Sequence, residues 1–165
     1  MQHNQFIENI NDNLIKACKD NDINSVKLLL SNGANIHYKN KIHYKLCGKS
    51  PIMIASYNCN LEMFELLLLN GANIHDKNDY EESPIIYASK CGDIEIFKLL
   101  LSYGANIYDT NSYGSNCIDL AYSYGNIEIV ELLEKIPLTT LIIFLQELYV
   151  YNTLDFSSFI DFNEY

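Results

Sequence analysis

The apolar positions of residues 83–111 recur at the spacing of two short amphipathic helices joined by a tight turn. Ser83 can accept a hydrogen bond from a free N–H group at the start of the first helix, and Pro84 suits the first helical position. We expect Gly92 to end this helix and Gly104 to end the second, because glycine readily adopts a left-handed conformation. The apolar stripe of the second helix consists of Ile94, Phe97, Leu100 and Leu101. The stretch therefore predicts a helix–turn–helix unit of about 30 residues.

The same unit recurs along the chain with a period of 33 residues, the separation of Pro51 and Pro84 (84 − 51 = 33). Equivalent residues keep this spacing at the start of the first helix and on its inner side. They are Pro51, Pro84 and Cys117, followed by Ala55, Ala88 and Ala121. The tripeptide Gly-Ala-Asn recurs after a leucine-rich run at Gly33, Gly71 and Gly104. Because neither short helix can cover its own apolar face, the copies are expected to pack side by side.

This order of Ser-Pro-apolar, alanine, glycine, a leucine run and Gly-Ala-Asn resembles the ankyrin repeat, whose signature T-P-L-H-x-A has a period of about 33 residues. The resemblance covers about residues 10–136. It implies an all-α fold, an ankyrin-repeat solenoid of about four helix–turn–helix repeats with projecting loops and a C-terminal capping helix. The repeats are expected at about residues 10–38, 39–77, 78–110 and 111–136. The consensus histidine is replaced by Ile15, Met53, Ile86 and Asp119, so the stack is expected to depend more on apolar contacts.

The turn between the two helices of each repeat varies in sequence. Asn21 stands in the first repeat where Gly92 stands in the third, and asparagine tolerates a positive φ better than most residues. Gly125 fills the same place in the fourth repeat. Cys59 replaces the glycine in the second repeat, which predicts a turn that is strained or shifted by one residue.

The ends of the chain depart from the repeat pattern. Residues 1–9 are polar and are expected to be loosely held, with Asp12 capping the first helix. Residues 137–151 predict a helix that is apolar on both sides, which we interpret as the cap of the last repeat, although it could instead dock on a partner. Residues 152–165 form an acidic, aromatic tail that could be disordered, bind in a groove or fold back along the repeats.

The spacing opens between the first two repeats, where Gly33 and Gly71 are 38 residues apart (71 − 33), five more than the period. The additional residues lie near 41–45, in a predicted loop finger. Lengthening a surface loop has a small free-energy cost, so a tolerated insertion is the simpler interpretation. The alternative is a basic contact point for an acidic partner, formed by Lys39, Lys41, Lys45 and Lys49.

The charge of the chain favours some partners over others. It carries 11 basic and 21 acidic residues, a formal net charge of −10, and every basic residue is lysine. Nucleic acid is not expected as a partner, because arginine is the main reader of base edges and phosphate neutralisation dominates affinity. An acidic surface favours basic partners and also serves solubility. The longest apolar run, 141–145, is too short to span a bilayer, so no membrane association is expected.

The five cysteines indicate a reducing compartment, since their number is odd and no apolar leader precedes them. None of them forms C-x-x-C. Cys18, Cys59 and Cys91 fall at the ends of the predicted first helices, so we interpret them as repeat positions. Abundant Asn, Ile and Tyr resemble proteins from AT-rich genomes, such as those of a large DNA virus, a protist or an intracellular bacterium. We therefore expect a monomeric protein of the cytoplasm, or of the host-cell cytoplasm.

The sequence shows no catalytic or nucleotide-binding motif, such as G-x-x-x-x-G-K-S/T, G-x-G-x-x-G or H-E-x-x-H. His37 and His75 hold the same repeat position, which favours a loop role. His37, His43 and Cys47 could be read as metal ligands, but they lack a spacing that would hold a metal ion. We expect no catalytic residue, no metal site and no cofactor.

The family resemblance implies that the first helices and loop fingers bind another protein on the concave side of the stack. Tyrosine suits such a face, because it offers contact area and a hydroxyl group at modest entropy cost. The candidate partner-binding residues are Lys49, Tyr57, Asn58, Tyr80, Glu82, Lys90, Cys91, Tyr113, Ser115, Ser123 and Tyr124.

Three functional hypotheses follow. The favoured one is a protein-binding module without chemistry of its own. The second is an adaptor in which residues 138–165 recruit ubiquitin-ligase or signalling machinery to a target held by the repeats. The third is an enzyme or enzyme inhibitor, which would require a deep pocket with a strongly shifted titratable group.

Overall fold

The computed structural model of the protein describes residues 2–39 and 48–135, with side chains from residue 10 onward. All regular secondary structure in these ranges is helical, which confirms the all-α prediction. Seven helices alternate with turns and loops, and residues 127–135 are also helical. The seven are α1 (Gln2–Lys19), α2 (Ile23–Ser31), α3 (Pro51–Tyr57), α4 (Leu61–Leu69), α5 (Pro84–Cys91), α6 (Ile94–Ser102) and α7 (Cys117–Tyr124).

The chain divides into two compact units, Met1–Ile129 and Val130–Tyr165, and the first contains all seven of these helices. The described part of the second unit is helical, with Lys135 Nζ 3.9 Å from the carboxylate of Glu131. The predicted capping helix at 137–151, the tail at 152–165 and the insertion at 41–45 lie outside the described residues, as do His43 and Cys47.

The first unit is a row of helix pairs. The first helices α1, α3, α5 and α7 pack on one another in chain order, and each of α1, α3 and α5 also packs on the helix that follows it. Phe64 and Phe97, at equivalent positions of α4 and α6, are fully buried. At the positions of the consensus histidine, Asp119 is exposed and accepts a hydrogen bond from the Asn116 N–H, whereas Ile15, Met53 and Ile86 are buried, in line with the expected apolar contacts. Each such side chain contributes about 1.5–3 kcal/mol by leaving water.

The turns within the pairs lie where they are predicted. Asn21, Cys59, Gly92 and Gly125 all have φ between 54° and 88°, the left-handed region that reverses the chain after a first helix. Cys59 therefore takes the turn conformation at the expected residue, without a shift. Polar side chains then cap the second helices: Asp22, Asn60 and Asp93 each accept a hydrogen bond from a backbone N–H of the first turn.

Two predicted caps are wrong. The Ser83 Oγ is buried and has no hydrogen-bond partner among the described residues, so Pro84 and the backbone start α5 without it. Asp12 does not cap α1, because that helix begins at Gln2 and runs through the polar segment. The apolar spacing of Phe6, Ile10 and Leu14 continues the helical pattern upstream, which explains the longer helix.

Candidate functional site

Helices α3 and α5, with Lys49 just before α3, bring three of the predicted residues into one aromatic and cationic cluster. Lys49 Nζ lies 4.5 Å from the ring centroid of Tyr57 and 4.6 Å from that of Tyr87. The two rings are perpendicular, with centroids 5.9 Å apart. Lys90 Nζ approaches the Tyr87 ring at 5.4 Å. Tyr87 was not among the predicted residues, and its position on α5 between Lys49 and Lys90 joins the cluster together.

Glu82 lies beneath this cluster and is turned inward, only 6 % exposed. Its carboxylate accepts hydrogen bonds from the Tyr87 hydroxyl at 2.6 Å and from the Asn78 amide at 3.1 Å, and it forms an ion pair with Lys90. Burial raises the pKa of Glu82, but these hydrogen bonds and the Lys90 charge outweigh it, so the pKa lies below its ordinary value. The carboxylate therefore makes its contacts inside the protein, and we leave Glu82 out of the proposed binding face.

Two loop fingers present the tyrosines predicted at their tips. The Asn78 side-chain oxygen accepts hydrogen bonds from the N–H groups of Tyr80 and Glu82, both at 2.9 Å. The Asn111 oxygen accepts from Tyr113 and Ser115 in the same way, both at 3.0 Å. Each asparagine side chain thus holds the backbone of its finger in place through two hydrogen bonds. The separation of the two asparagines by one period (111 − 78 = 33) is the sequence signal that could have identified them.

The two fingertips touch. The Tyr80 and Tyr113 rings are stacked, with centroids 6.2 Å apart and planes inclined by 25°. A backbone hydrogen bond of 2.8 Å from the Ser112 N–H to the Tyr80 carbonyl also joins the fingers. Tyr80 is 41 % exposed and Tyr113 77 % exposed, so the pair offers aromatic surface to solvent.

The remaining predicted residues play mixed roles. Asn58 donates from its amide to the carbonyls of Cys18, at 3.3 Å, and Lys19, at 3.4 Å, and so ties α3 to the end of α1. Ser123 is exposed and its hydroxyl donates to the Asp119 carbonyl at 2.8 Å. Tyr57 and Tyr124 are exposed on the ends of α3 and α7, while Ser115 is half-buried.

Cys91 and Cys59 are joined by a disulfide, with Cα atoms 6.1 Å apart. Both cysteines hold the expected repeat positions, Cys59 in the turn after α3 and Cys91 at the end of α5, but the sequence pattern did not predict that they pair. Cys18 and Cys117 are buried free thiols, and burial raises their pKa to about 12 and about 11. Neither is suited to act as a nucleophile, because only the thiolate is reactive.

The described residues contain no cluster of His, Cys, Asp and Glu that could hold a metal ion. His37 and His75 occupy equivalent turns, where the backbone N–H of each donates to the side-chain oxygen of the asparagine two residues earlier, at 2.9 and 3.0 Å. Lys39, beside the insertion, donates to the Lys77 carbonyl at 2.9 Å. Within residues 2–39 and 48–135, no helix has the length and apolar character needed to cross a membrane.

A family model described as "Ankyrin repeats (3 copies)" matches residues 14–111 and residues 52–137. Together the two matches cover 124 residues (137 − 14 + 1) of the 165. The comparison with curated proteins found no match. Repeats of this kind are generally protein–protein interaction modules and are typically not enzymes.

Proposed function

Because the chain belongs to the ankyrin-repeat family, we propose that it binds another protein through the side formed by its first helices and loop fingers, without catalysis of its own. The observation that carries this proposal is the stacked, exposed pair of Tyr80 and Tyr113 at two adjoining fingertips. With Tyr57, Tyr124 and Lys49, this pair makes up what we call the tyrosine face.

The tyrosine face has the properties of a preorganised binding surface. The asparagine anchors and the backbone bond between the fingers hold Tyr80 and Tyr113 in place before any partner arrives. Binding therefore loses less conformational entropy than it would with free loops. Exposed tyrosines are frequent anchors of protein interfaces, because each ring buries a large area and keeps a hydroxyl for hydrogen bonding.

The net charge of −10 supports a partner with a basic surface, since complementary charge speeds encounter and suppresses wrong partners. The absence of arginine from the sequence supports a protein partner over nucleic acid. We also propose that the protein acts as a monomer in the cytoplasm, away from the membrane.

Affinity capture from the source cell, with mass spectrometry, tests the proposal. The bait proteins are the wild type, the double variant Tyr80→Ala/Tyr113→Ala, and Tyr103→Ala as the matched control. Tyr103 is also an exposed tyrosine, but it ends α6, a second helix outside the tyrosine face.

We expect one partner to bind the wild type and the control equally and to lose at least about tenfold in affinity with the double variant. Far-UV circular dichroism checks that all three proteins are folded. Equal binding to all three folded baits would contradict the proposed face.

The alternative function is that of an adaptor in which residues 138–165 recruit ubiquitin-ligase or signalling machinery. The sequence of this segment supports it by being apolar on both sides of the predicted helix. Deleting 138–165 should leave the repeats folded and remove one of two partners if the adaptor hypothesis is right. Unfolding of the shortened chain would instead identify the segment as a cap.

A further inference from the structure

The Cys59–Cys91 disulfide joins two successive repeats beside the tyrosine face. Cys59 lies in the left-handed turn after α3 and is exposed, and Cys91 is the last residue of α5 and is half-buried. Their neighbours in the chain, Asn58 and Lys90, are candidate binding residues. The two helices that the bond joins also carry Tyr57 and Tyr87, whose rings meet in the aromatic cluster.

The neighbouring junctions between first helices are held by asparagine amides instead. Asn58 ties α3 to the carbonyls at the end of α1, as described above. Asn126 ties the turn after α7 to the end of α5, where it donates to the carbonyls of Ser89 at 2.6 Å and Lys90 at 3.2 Å.

The junction of α3 with α5 lacks both of these asparagines at the equivalent positions. One period after Asn58 comes Cys91 (58 + 33 = 91), and one period before Asn126 comes Asp93 (126 − 33 = 93). An ionised aspartate has no donor for a carbonyl. The disulfide therefore stands where the other junctions have a hydrogen-bonding amide.

We propose that Cys59 and Cys91 form a reversible redox site that clamps α3 to α5 when oxidised and loosens the tyrosine face when reduced. The effect on binding rests on the proposed function, whereas the clamp itself does not. In a reducing compartment such a bond is transient, since cellular dithiols keep exposed thiols reduced unless an oxidant is present.

The chemistry is thiol–disulfide exchange with a cellular dithiol. A thiolate of the dithiol attacks one sulfur of the pair, the protein S–S bond breaks, and a mixed disulfide forms. The second thiol of the reductant then displaces the protein sulfur and becomes oxidised to a disulfide. The protein gains two electrons and two protons, and a disulfide oxidant such as oxidised glutathione reverses the step. Exposure of Cys59 gives the reductant access, while Cys18 and Cys117 are buried.

The test uses the full chain with Cys47→Ser, so that the fifth cysteine does not take part. Native protein equilibrated with oxidised glutathione is treated with a maleimide, with and without prior dithiothreitol, and its mass is measured. We expect no labelled cysteine before reduction and two after it, assigned by peptide mapping to Cys59 and Cys91. Labelling of Cys59 or Cys91 in the oxidised sample would overturn the proposal.

A thermal melt then tests the clamp. Opening a loop of about 33 residues should lower the Tm by roughly 5–15 °C on reduction. The Cys59→Ser/Cys91→Ser variant in the same background should have the Tm of the reduced protein, with or without dithiothreitol. An unchanged Tm, with the pair shown to be oxidised and then reduced, would refute the clamp.

The consequence for binding is measured with the partner captured above. We expect the oxidised and reduced proteins to differ several-fold in Kd, and the double serine variant to be insensitive to dithiothreitol. Equal Kd values in both states would overturn the regulatory role. Labelling and melting need no partner, so the redox site can stand even where the proposed binding face fails.

Discussion

The two loop fingers of the tyrosine face share one backbone design but differ in what lies beneath them. In both, the side-chain oxygen of an asparagine accepts two hydrogen bonds from backbone N–H groups. A residue with positive φ then closes the loop, Glu81 at 59° in the first finger and Gly114 at 78° in the second. The first finger then continues into the buried Glu82 network, whereas the second continues into the half-buried Ser115. The same loop can thus be held by its asparagine anchor alone or also by a charged network below it.

The comparison predicts that the first finger is the more costly to disturb. Replacing Glu82 with Ala removes the acceptor of Tyr87, Lys90 and Asn78 and leaves their donors inside the protein. We expect a loss of about 2–4 kcal/mol in the free energy of unfolding.

Ser115→Ala is the matched control in the second finger, and we expect it to change stability by less than about 1 kcal/mol. Urea denaturation followed by circular dichroism measures both variants. Similar losses for the two would mean that the network contributes no more than the loop itself.

The residues that close the loops predict opposite signs. Gly114→Ala should destabilise by about 1 kcal/mol, because alanine is strained at positive φ, although no atom lies within 4 Å of the added carbon. Glu81→Gly should stabilise by about 0.5–1 kcal/mol, because it relieves the same strain.

The Glu81→Gly change also removes an ion pair with Lys77, with a separation of 3.8 Å, but both side chains are substantially exposed and such pairs contribute little. Urea melts of the two single variants provide the measurement. Changes of the same sign would show that positive φ is not what limits these positions.

The smallest expected effect is a dependence on pH that belongs to the first finger. The pKa of Glu82 is lower in the folded protein than its ordinary value of 4.5. The stability it contributes is therefore fully present above pH 4.5 and is lost as the pH falls through the folded pKa.

Glu82→Gln should reduce the acid-induced loss of unfolding free energy, because an amide does not titrate. Urea melts between pH 3 and pH 6, with Glu62→Gln as the control, measure the slopes. Parallel curves for the wild type and Glu82→Gln would refute the lowered pKa.

The sequence alone was sufficient for the features that repeat. Pro51, Pro84 and the glycine and asparagine turns recur with a fixed period, and their conformational preferences are local, so the helix pairs followed from them. The leucine stripes fixed the buried sides in the same way. The upstream extent of α1 was missed because the polar residues before Asp12 concealed a helical spacing.

The arrangement of the site depended on contacts between residues that no periodic pattern connects. Glu82 was placed among the partner-binding residues because of the family resemblance, yet Tyr87 and Lys90 converge on it from α5. The Cys59–Cys91 bond was missed for a related reason, since pairing depends on distance in space. The common period of Asn78 and Asn111 was a signal in the sequence for their role as loop anchors.

The amide of Asn126 also restricts how the repeats can be rearranged. Its oxygen lies so close to Gly92 that a side chain at residue 92 would collide with it. If the third repeat were duplicated in place, the copy would bring the carboxylate of Asp93 to the carbonyls that Asn126 now binds, and oxygen would face oxygen. The hydrogen bonds of Asn126 therefore make the order of the third and fourth repeats specific. A repeat inserted after the third one would need an asparagine at the position equivalent to residue 126 to keep these bonds.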